Sequence, residues 1–566
     1  MNSRNRNCDF VVGVRGSVSG MLSWIKSIRR LVTLAVVFAF AQGTLAQIAA
    51  NQPFSIIGPI ESFTLTTPGN ILSGGTMKVN NITVTIPTNT IIVFPTGYWT
   101  VNQVFRGPTQ SAAPATASGL ALNDPIAVRR PGAFEAEIQG NTVNGQYIAG
   151  LVSIAPALLQ NSDGFIRSIN NATGELCVGA NSTALGVGVA CPTTDTRLRL
   201  NDPTGRHGVI VTSPDLRFKV DDENPTITAQ TGYPMCIPRF ATPTIDPRCP
   251  IGNRPRTLGG VAVTTFVMNG PDYIASGAVP TIRSCINIPS NGASPTTATR
   301  CQPNEQAPLV VGDYITFNGI LATDVGGTYI SAHSITASVG IFTEKGAGKV
   351  VYLRWDEGRV GTGPTPISCP NTAECTRKVR VVGFITDPSR VTTGATNRLR
   401  LYHVDVFLGG VKKVRQVESV PPFNDQGNFG RFRFDIDDVI SLLNPSLGLT
   451  RELLVSLDDG AFALNGMGSI SAGTADVVVV PNPTNSPTRV KANGFIYGQY
   501  WAPWPEYIFP ETSLSGVSAP QANFDCLAFL AAGWSLDLLG NGVQVPIPQL
   551  APWPQPALPA FGTTCP

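Results

Sequence analysis

His207, His333 and His403 are the only imidazoles in the chain, and each falls inside or beside a stretch that alternates like a strand. Histidine is the side chain most often used to move protons near neutral pH. None of the three stands in a local nucleophile or metal motif, so they read as structural or surface residues. Gly466-Met-Gly468-Ser469-Ile-Ser471-Ala-Gly473 sets serines among glycines. It lacks the Gly-x-Ser-x-Gly spacing that lifts a nucleophile onto a strained strand-to-helix turn, and it reads as a flexible turn. Asp435-Ile-Asp437-Asp438 is the densest acidic cluster. It lacks the glycine and distal glutamate of a calcium loop, and it suits the start of a short helix running to Leu443. Asp221-Asp222-Glu223 and Asp458-Asp459-Gly460 read as solvated turns. Glycosidase chemistry needs only two carboxylates brought together by folding. The catalytic residues therefore stay unassigned, and the sequence leans against an enzyme.

Aromatic side chains offer a different chemistry. From Phe495 to Phe509 the chain carries Tyr497, Tyr500, Trp501, Trp504 and Tyr507, with Pro503 and Pro505 holding it extended. These five are the candidate binding residues, because flat rings stack on sugars. The competing reading packs the same segment over a domain interface. Here the chain resembles uncharacterised secreted proteins of filamentous fungi, in which a Gly-Gln-Tyr-x-Ala-Pro…Phe-Pro-Glu segment follows β-rich repeats. The resemblance centres on residues 494–511 and extends upstream to about 300. It implies an exported fungal protein and brings no activity with it.

An export signal is expected over residues 1–46. Lys26, Arg29 and Arg30 precede an apolar run from Leu31 to Ala41, and Thr44 and Ala46 give the small-x-small pattern of a cleavage site. That order is the order of a secretory signal, and the run is too short to span a bilayer comfortably. Met21 is an alternative start. The first 46 residues hold six basic side chains and one acid, so 40 basic and 37 acidic residues become 34 and 36, a net of −2. With no basic surplus there is no electrostatic case for nucleic acid. No later segment has the length of a membrane span. The expected partners are cell-wall polysaccharide or a surface protein.

Eleven cysteines become ten without Cys8. They fall in neighbouring couples, Cys177/Cys191, Cys236/Cys249, Cys285/Cys301, Cys369/Cys375 and Cys526/Cys565. An even count in local couples on an exported chain favours disulfides over metal ligation. CxxC spacing and histidine partners are missing, so no metal site and no cofactor is expected. Asn81-Ile-Thr83, Asn171-Ala-Thr173 and Asn181-Ser-Thr183 are acceptor triplets for N-glycans.

The elements that must hold these residues read as strands. Glycine (57) and proline (47) are frequent while charged residues are 14% of the chain, too apolar for disorder and too broken for long helices. Met77 to Ile86 alternates on both sides of Asn80-Asn81, a pair suited to a tight hairpin. Phe134–Ile138 with Gln146–Ile154, and Tyr314–Leu321 with Thr328–Ile335, form further strand pairs, and Arg398–Phe407 is a strongly alternating strand. Phe524 to Trp534 is a second candidate helix.

Ile315-Thr-Phe-Asn318-Gly319-Ile-Leu321, Val379-Arg-Val-Val382-Gly383-Phe-Ile385 and Val490-Lys-Ala-Asn493-Gly494-Phe-Ile496 share a strand that reaches a glycine and continues apolar. The pattern resembles that of oligonucleotide/oligosaccharide-binding-type barrels, where a glycine lets one strand bend and stay paired on both sides. The expected fold is mainly β: tandem small β-barrel or β-sandwich modules, disulfide-stapled, with few short helices. Composition places modules at 47–125, 126–220, 306–420 and 421–515, a Cys/Pro-rich connection at 221–305 and a Pro-rich tail at 516–566.

The function these features favour is a secreted, non-catalytic, cell-surface, cell-wall or matrix-binding protein. A carbohydrate-active enzyme with a dispersed Asp/Glu pair and an auxiliary protein of an exported or secondary-metabolite pathway are the alternatives.

Overall fold

The computed structural model describes residues 53–267 and 306–343 with short breaks, and beyond them mainly strands lying between residues 351 and 548. Residues 1–46, 221–223, 466–473, Asp437, Asp438, Tyr497 and Trp504 lie outside the described residues. So do Cys285, Cys301, Cys369, Cys375, Cys526 and Cys565.

The first module is built from β1 (Pro53–Leu65), β2 (Gly75–Val79), β3 (Ile82–Ile86), β4 (Ile91–Phe94), β5 (Gly97–Thr100), helix α1 (Val101–Phe105), β6 (Phe134–Val143) and β7 (Gln146–Pro156). Along β2 and β3 the apolar residues Met77, Val79, Val84 and Ile86 are buried while Thr83 and Thr85 are exposed, the period-2 pattern of a one-sided sheet. Asn80 and Asn81 turn the hairpin with φ of 48° and 65°, the left-handed pair that a two-residue turn requires. The side chain of Asn80 donates to the Ile57 carbonyl at 2.8 Å, tying the turn to β1. β1 pairs with β2 and β6, and β3 meets β7 in parallel at Val84↔Tyr147, so β1-β2-β3-β7-β6 closes on itself. Thr100 and Gln103 form a reciprocal capping box on α1, whose Val101, Val104 and Phe105 enter the core.

The second module repeats this circuit. Its strands are β8 (Asn161–Asn170), β9 (Glu175–Gly179), β10 (Thr196–Leu200), β11 (Tyr314–Asp324) and β12 (Gly327–Ala337). β8 pairs with β9 and β11, β9 with β10, β11 with β12, and β10 runs parallel to β12 at Leu198↔Ile330. Counting only the five strands that close each barrel, with β4 and β5 of the first module left aside, both circuits run 1-2-3-5-4 and back to 1, with strands 3 and 5 parallel. That is the strand order of the oligonucleotide/oligosaccharide-binding type of barrel. Glycine supplies the bend in β11: the pairing steps from Asn318↔Ser334 to Gly319↔Ala332, leaving His333 as the extra residue of a bulge. A Cβ on Gly319 would lie 2.5 Å from the Ser331 carbonyl oxygen.

Residues 201–313 join the third and fourth strands of the second barrel and carry short strands of their own. The two barrels meet through this connection. Arg217 is fully buried, held by Asp215 (2.6 and 2.9 Å), and donates to the carbonyls of Val104 and Ser118 in the first module. The adjacent Phe218 packs edge-on to Phe94 and near Phe134 in the first barrel's core, which also takes in Ile320 of β11.

A third module layers two sheets. One contains β13 (Leu353–Gly361), β14 (Val379–Ile385), β17 (Arg431–Ile436) and β21 (Glu506–Ile508); the other contains β15 (Arg398–Val406), β16 (Lys412–Glu418), β18 (Leu449–Asp458), β19 (Val477–Val479) and β20 (Gln499–Pro503). Leu353, Trp355, Val381, Phe432 and Phe434 of the first share one core with Leu399, Leu401, Leu453 and Val455 of the second. Gly383 again stands opposite a register shift, here between Trp355 and Glu357.

The chain is therefore mainly β, in tandem small barrels and a sandwich. Strand pairing groups it differently from composition: β1 with β6 crosses the boundary at 125/126, and β10 with β12 joins segments on either side of 221–305. Barrel closure is non-local, so proline-rich stretches mark connections inside a module as readily as between modules. The helix expected over Phe524–Trp534 is corrected at its end, where Trp534 lies in the strand Gly533–Leu536 paired with Ile547.

Candidate functional site

The second barrel carries a charged array on the outer side of its second and third strands. In β10 the sequence Thr196-Arg197-Leu198-Arg199-Leu200 alternates, so Leu198 and Leu200 enter the core and both arginines point outward. Glu175 begins β9 beside them, and Asp324 ends β11 at the turn into β12. Arg197 grips Glu175 (3.1 and 2.8 Å) and Asp324 (2.8 and 3.1 Å), two bidentate pairs on one guanidinium. Arg199 reaches the same two carboxylates at 2.6 and 2.8 Å. The Tyr329 ring lies under both, 4.8 Å from Arg199 and 5.8 Å from Arg197. Gly326 lets the turn come close: a Cβ there would meet the Arg197 guanidinium at 3.0 Å.

This gives a closed ring of alternating charge, carboxylate, guanidinium, carboxylate, guanidinium. Side-chain exposure of 15–24% leaves each member within reach of solvent while the others hold its position. The bond to Arg197 is the first cause that holds the Asp324 carboxyl down at about 2, with the Gly326 amide and Arg199 adding to it. The same bonds to Asp324 and Glu175 raise Arg197 above its ordinary value. Asp324 is thus ionised across the ordinary pH range and accepts hydrogen bonds; it does not serve as a proton donor there. Donors and acceptors set side by side with no net charge suit hydroxyl groups, each of which donates to a carboxylate and accepts from an arginine. The Asn171 triplet occupies the turn just before Glu175.

The histidines have other roles. His207 is fully buried in the 201–313 connection; its backbone N–H donates to Asp202 at 2.7 Å, and its ring lies 3.4 Å from the Thr226 hydroxyl. Burial first, then Arg206, pushes it down to about 3 against the pull of Gln306 and the Met235 backbone. His333, the bulge residue of β12, is pushed down to about 4 by burial, and its ring faces Phe218 at 6.5 Å. Both are neutral packing residues at ordinary pH. His403 lies in β15, paired with Leu453.

The aromatic segment is built into the sandwich. Tyr500 of β20 packs edge-on to Trp355 at 5.4 Å and is half-buried against the core. Trp501 pairs through its backbone with Leu454, and Tyr507 with Val360 of β13. The chain there serves both sheets as strands. Two of the five cysteine couples are disulfides among the described residues, Cys177–Cys191 and Cys236–Cys249. The couples Cys285/Cys301, Cys369/Cys375 and Cys526/Cys565 fall outside those residues, and their pairing stays an expectation from adjacency in the sequence. A grouping of Cys177, Cys191 and Asp195 has metal-like spacing, but its two sulfurs are bonded to each other. Asn81 and Asn181 are exposed, as glycan acceptors must be, and Asn171 is half-exposed.

Sequence reasoning singled out none of Glu175, Arg197, Arg199, Asp324 or Tyr329. The one signal was the paired arginines on a single face of Thr196–Leu200; Asp324 lies 127 positions away from Arg197. No helix among the described residues is long and apolar enough to cross a membrane. No protein-family model matches the chain, and no curated protein and no solved structure matches it.

Proposed function

We propose that this protein is a secreted, disulfide-bonded, non-catalytic binding protein that engages neutral polysaccharide of a cell wall, cell surface or matrix. The observation that carries the reading is the preset ring Glu175–Arg197–Asp324–Arg199 on the outer face of a closed barrel. Hydroxyl groups fit it without disturbing its charge balance, whereas an ion would have to displace a bonded partner. Two disulfides, exposed acceptor asparagines and the signal-like residues 1–46 support an extracellular, glycosylated product. The likeness of residues 494–511 to secreted fungal proteins supports a fungal source.

The test is a glycan array, followed by titration of the best neutral oligosaccharide against wild type, Arg199→Met and Glu175→Gln. Each variant is expected to lose about tenfold in affinity, the cost of roughly one charge-assisted hydrogen bond. No binding by wild type across neutral glycans, or equal binding by both variants, rejects the site. Turnover of any glycan in a hydrolysis panel rejects the non-catalytic reading.

A further inference from the structure

The loop between β9 and β10 is closed at its base by Cys177–Cys191. Residues 180–190, Ala-Asn-Ser-Thr-Ala-Leu-Gly-Val-Gly-Val-Ala, contain no charged or aromatic side chain. All are exposed except Leu185, which is half-buried. Val187 stands fully in solvent at the tip and Val189 is 54% exposed. Gly188 turns the tip with φ of 77°, and the Val189 N–H donates to the Gly186 carbonyl at 3.1 Å. Two further bonds anchor the loop's root, Leu185 N–H to the Arg167 carbonyl (2.9 Å) and the Arg167 side chain to the Thr183 carbonyl (3.0 Å). Beyond Leu185 the segment makes no bond to the barrel body among the described residues.

A solvated loop tip of small residues enters a protease cleft at little conformational cost. We propose that this loop is a cleavage site for an extracellular endopeptidase whose specificity pocket takes small aliphatic side chains, and that the cut leaves a two-chain protein joined by Cys177–Cys191. Water adds across the peptide bond after Val187 or Val189, giving a valine carboxylate and the ammonium of Gly188 or Ala190; nothing is oxidised or reduced. The barrel survives the cut, because β9 and β10 stay paired from Thr196↔Val178 to Arg199↔Glu175 and the Arg197–Glu175 pair spans them. The inference is independent of the polysaccharide reading.

The test digests the folded mature protein, freed of N-glycans because Asn181 of this loop is an acceptor, with pancreatic elastase, with trypsin as the comparison, since the loop offers no lysine or arginine. Elastase is expected to make its first cut inside 185–190, with new amino termini at Gly188 or Ala190 by mass spectrometry. The fragments should migrate together until reductant separates them. In Val187→Asp/Val189→Asp, whose fold is undisturbed at exposed positions, this cut should slow by at least about tenfold, the scale of rejection by a mismatched pocket. A first cut elsewhere, or equal rates for the variant, overturns the proposal.

Discussion

Arg217 shows how much one side chain can hold here. Its guanidinium is fully buried, satisfied by Asp215 and by two carbonyls of the neighbouring module. Removing one partner of such a pair strands the other charge out of water. Arg217→Met is therefore expected to cost about 3–5 kcal/mol in urea unfolding, with the loss spread over both barrels because the bonds span them. The histidines give a pH signature at the same scale. His333 and His207 sit at about 4 and about 3 in the folded protein, below the usual value near 6.5 for an unfolded chain. Between those limits the unfolded state binds more protons, so their contribution is full above about pH 6.5 and fades as pH falls toward 4 and 3. The slope reaches about 1.4 kcal/mol per pH unit for each histidine. Unfolding measured from pH 4.5 to 7.5 should show a shallower slope in His333→Phe than in wild type. Asp324 acts only between its usual value and about 2, below that window.

At the scale of elements, glycine placement decides whether a strand can serve two neighbours. β11 pairs with β8 over Tyr314–Asn318 and with β12 along its length, and the bulge at His333 opposite Gly319 bends β12 and sharpens the local twist where the two pairings part. Any side chain at Gly319 meets the Ser331 carbonyl oxygen and the Ile330 methyl within 2.6 Å. Gly319→Val should cost about 1–3 kcal/mol, the usual penalty of overpacking, read as a lower urea midpoint with an unchanged slope. Much of this was legible in the sequence. The Asn80-Asn81 turn, the alternation of Met77–Ile86 and the pairing of Tyr314–Leu321 with Thr328–Ile335 follow from period and turn chemistry alone. Helix α1 was not, because five residues are too short for a periodic signal and its capping box, Thr100 with Gln103, is followed by no longer apolar repeat.

For the whole molecule, two closed barrels and a layered sandwich share one chain, and among the described residues one disulfide ties β9 to the loop that follows it and the other lies within the 201–313 connection. Peptide mapping without reduction should recover Cys177 linked to Cys191 and Cys236 linked to Cys249. Replacing both members of the second couple with serine is expected to lower stability by about 3 kcal/mol, the entropy that a loop of this length regains when unfolded. What the sequence alone determined is local: strand periods, the hairpin asparagines, the adjacent couples Cys177/Cys191 and Cys236/Cys249, and the mainly β class, each set by neighbours close in the chain. Tertiary structure decided the rest. Only closure of the second barrel brings Asp324 to Arg197 and Glu175, and only docking of the 201–313 connection seats Phe218 beneath Phe94 and against His333. Those contacts join residues far apart in the chain, where pairing depends on which strand edges remain free once local hairpins have formed, and no short-range pattern records it.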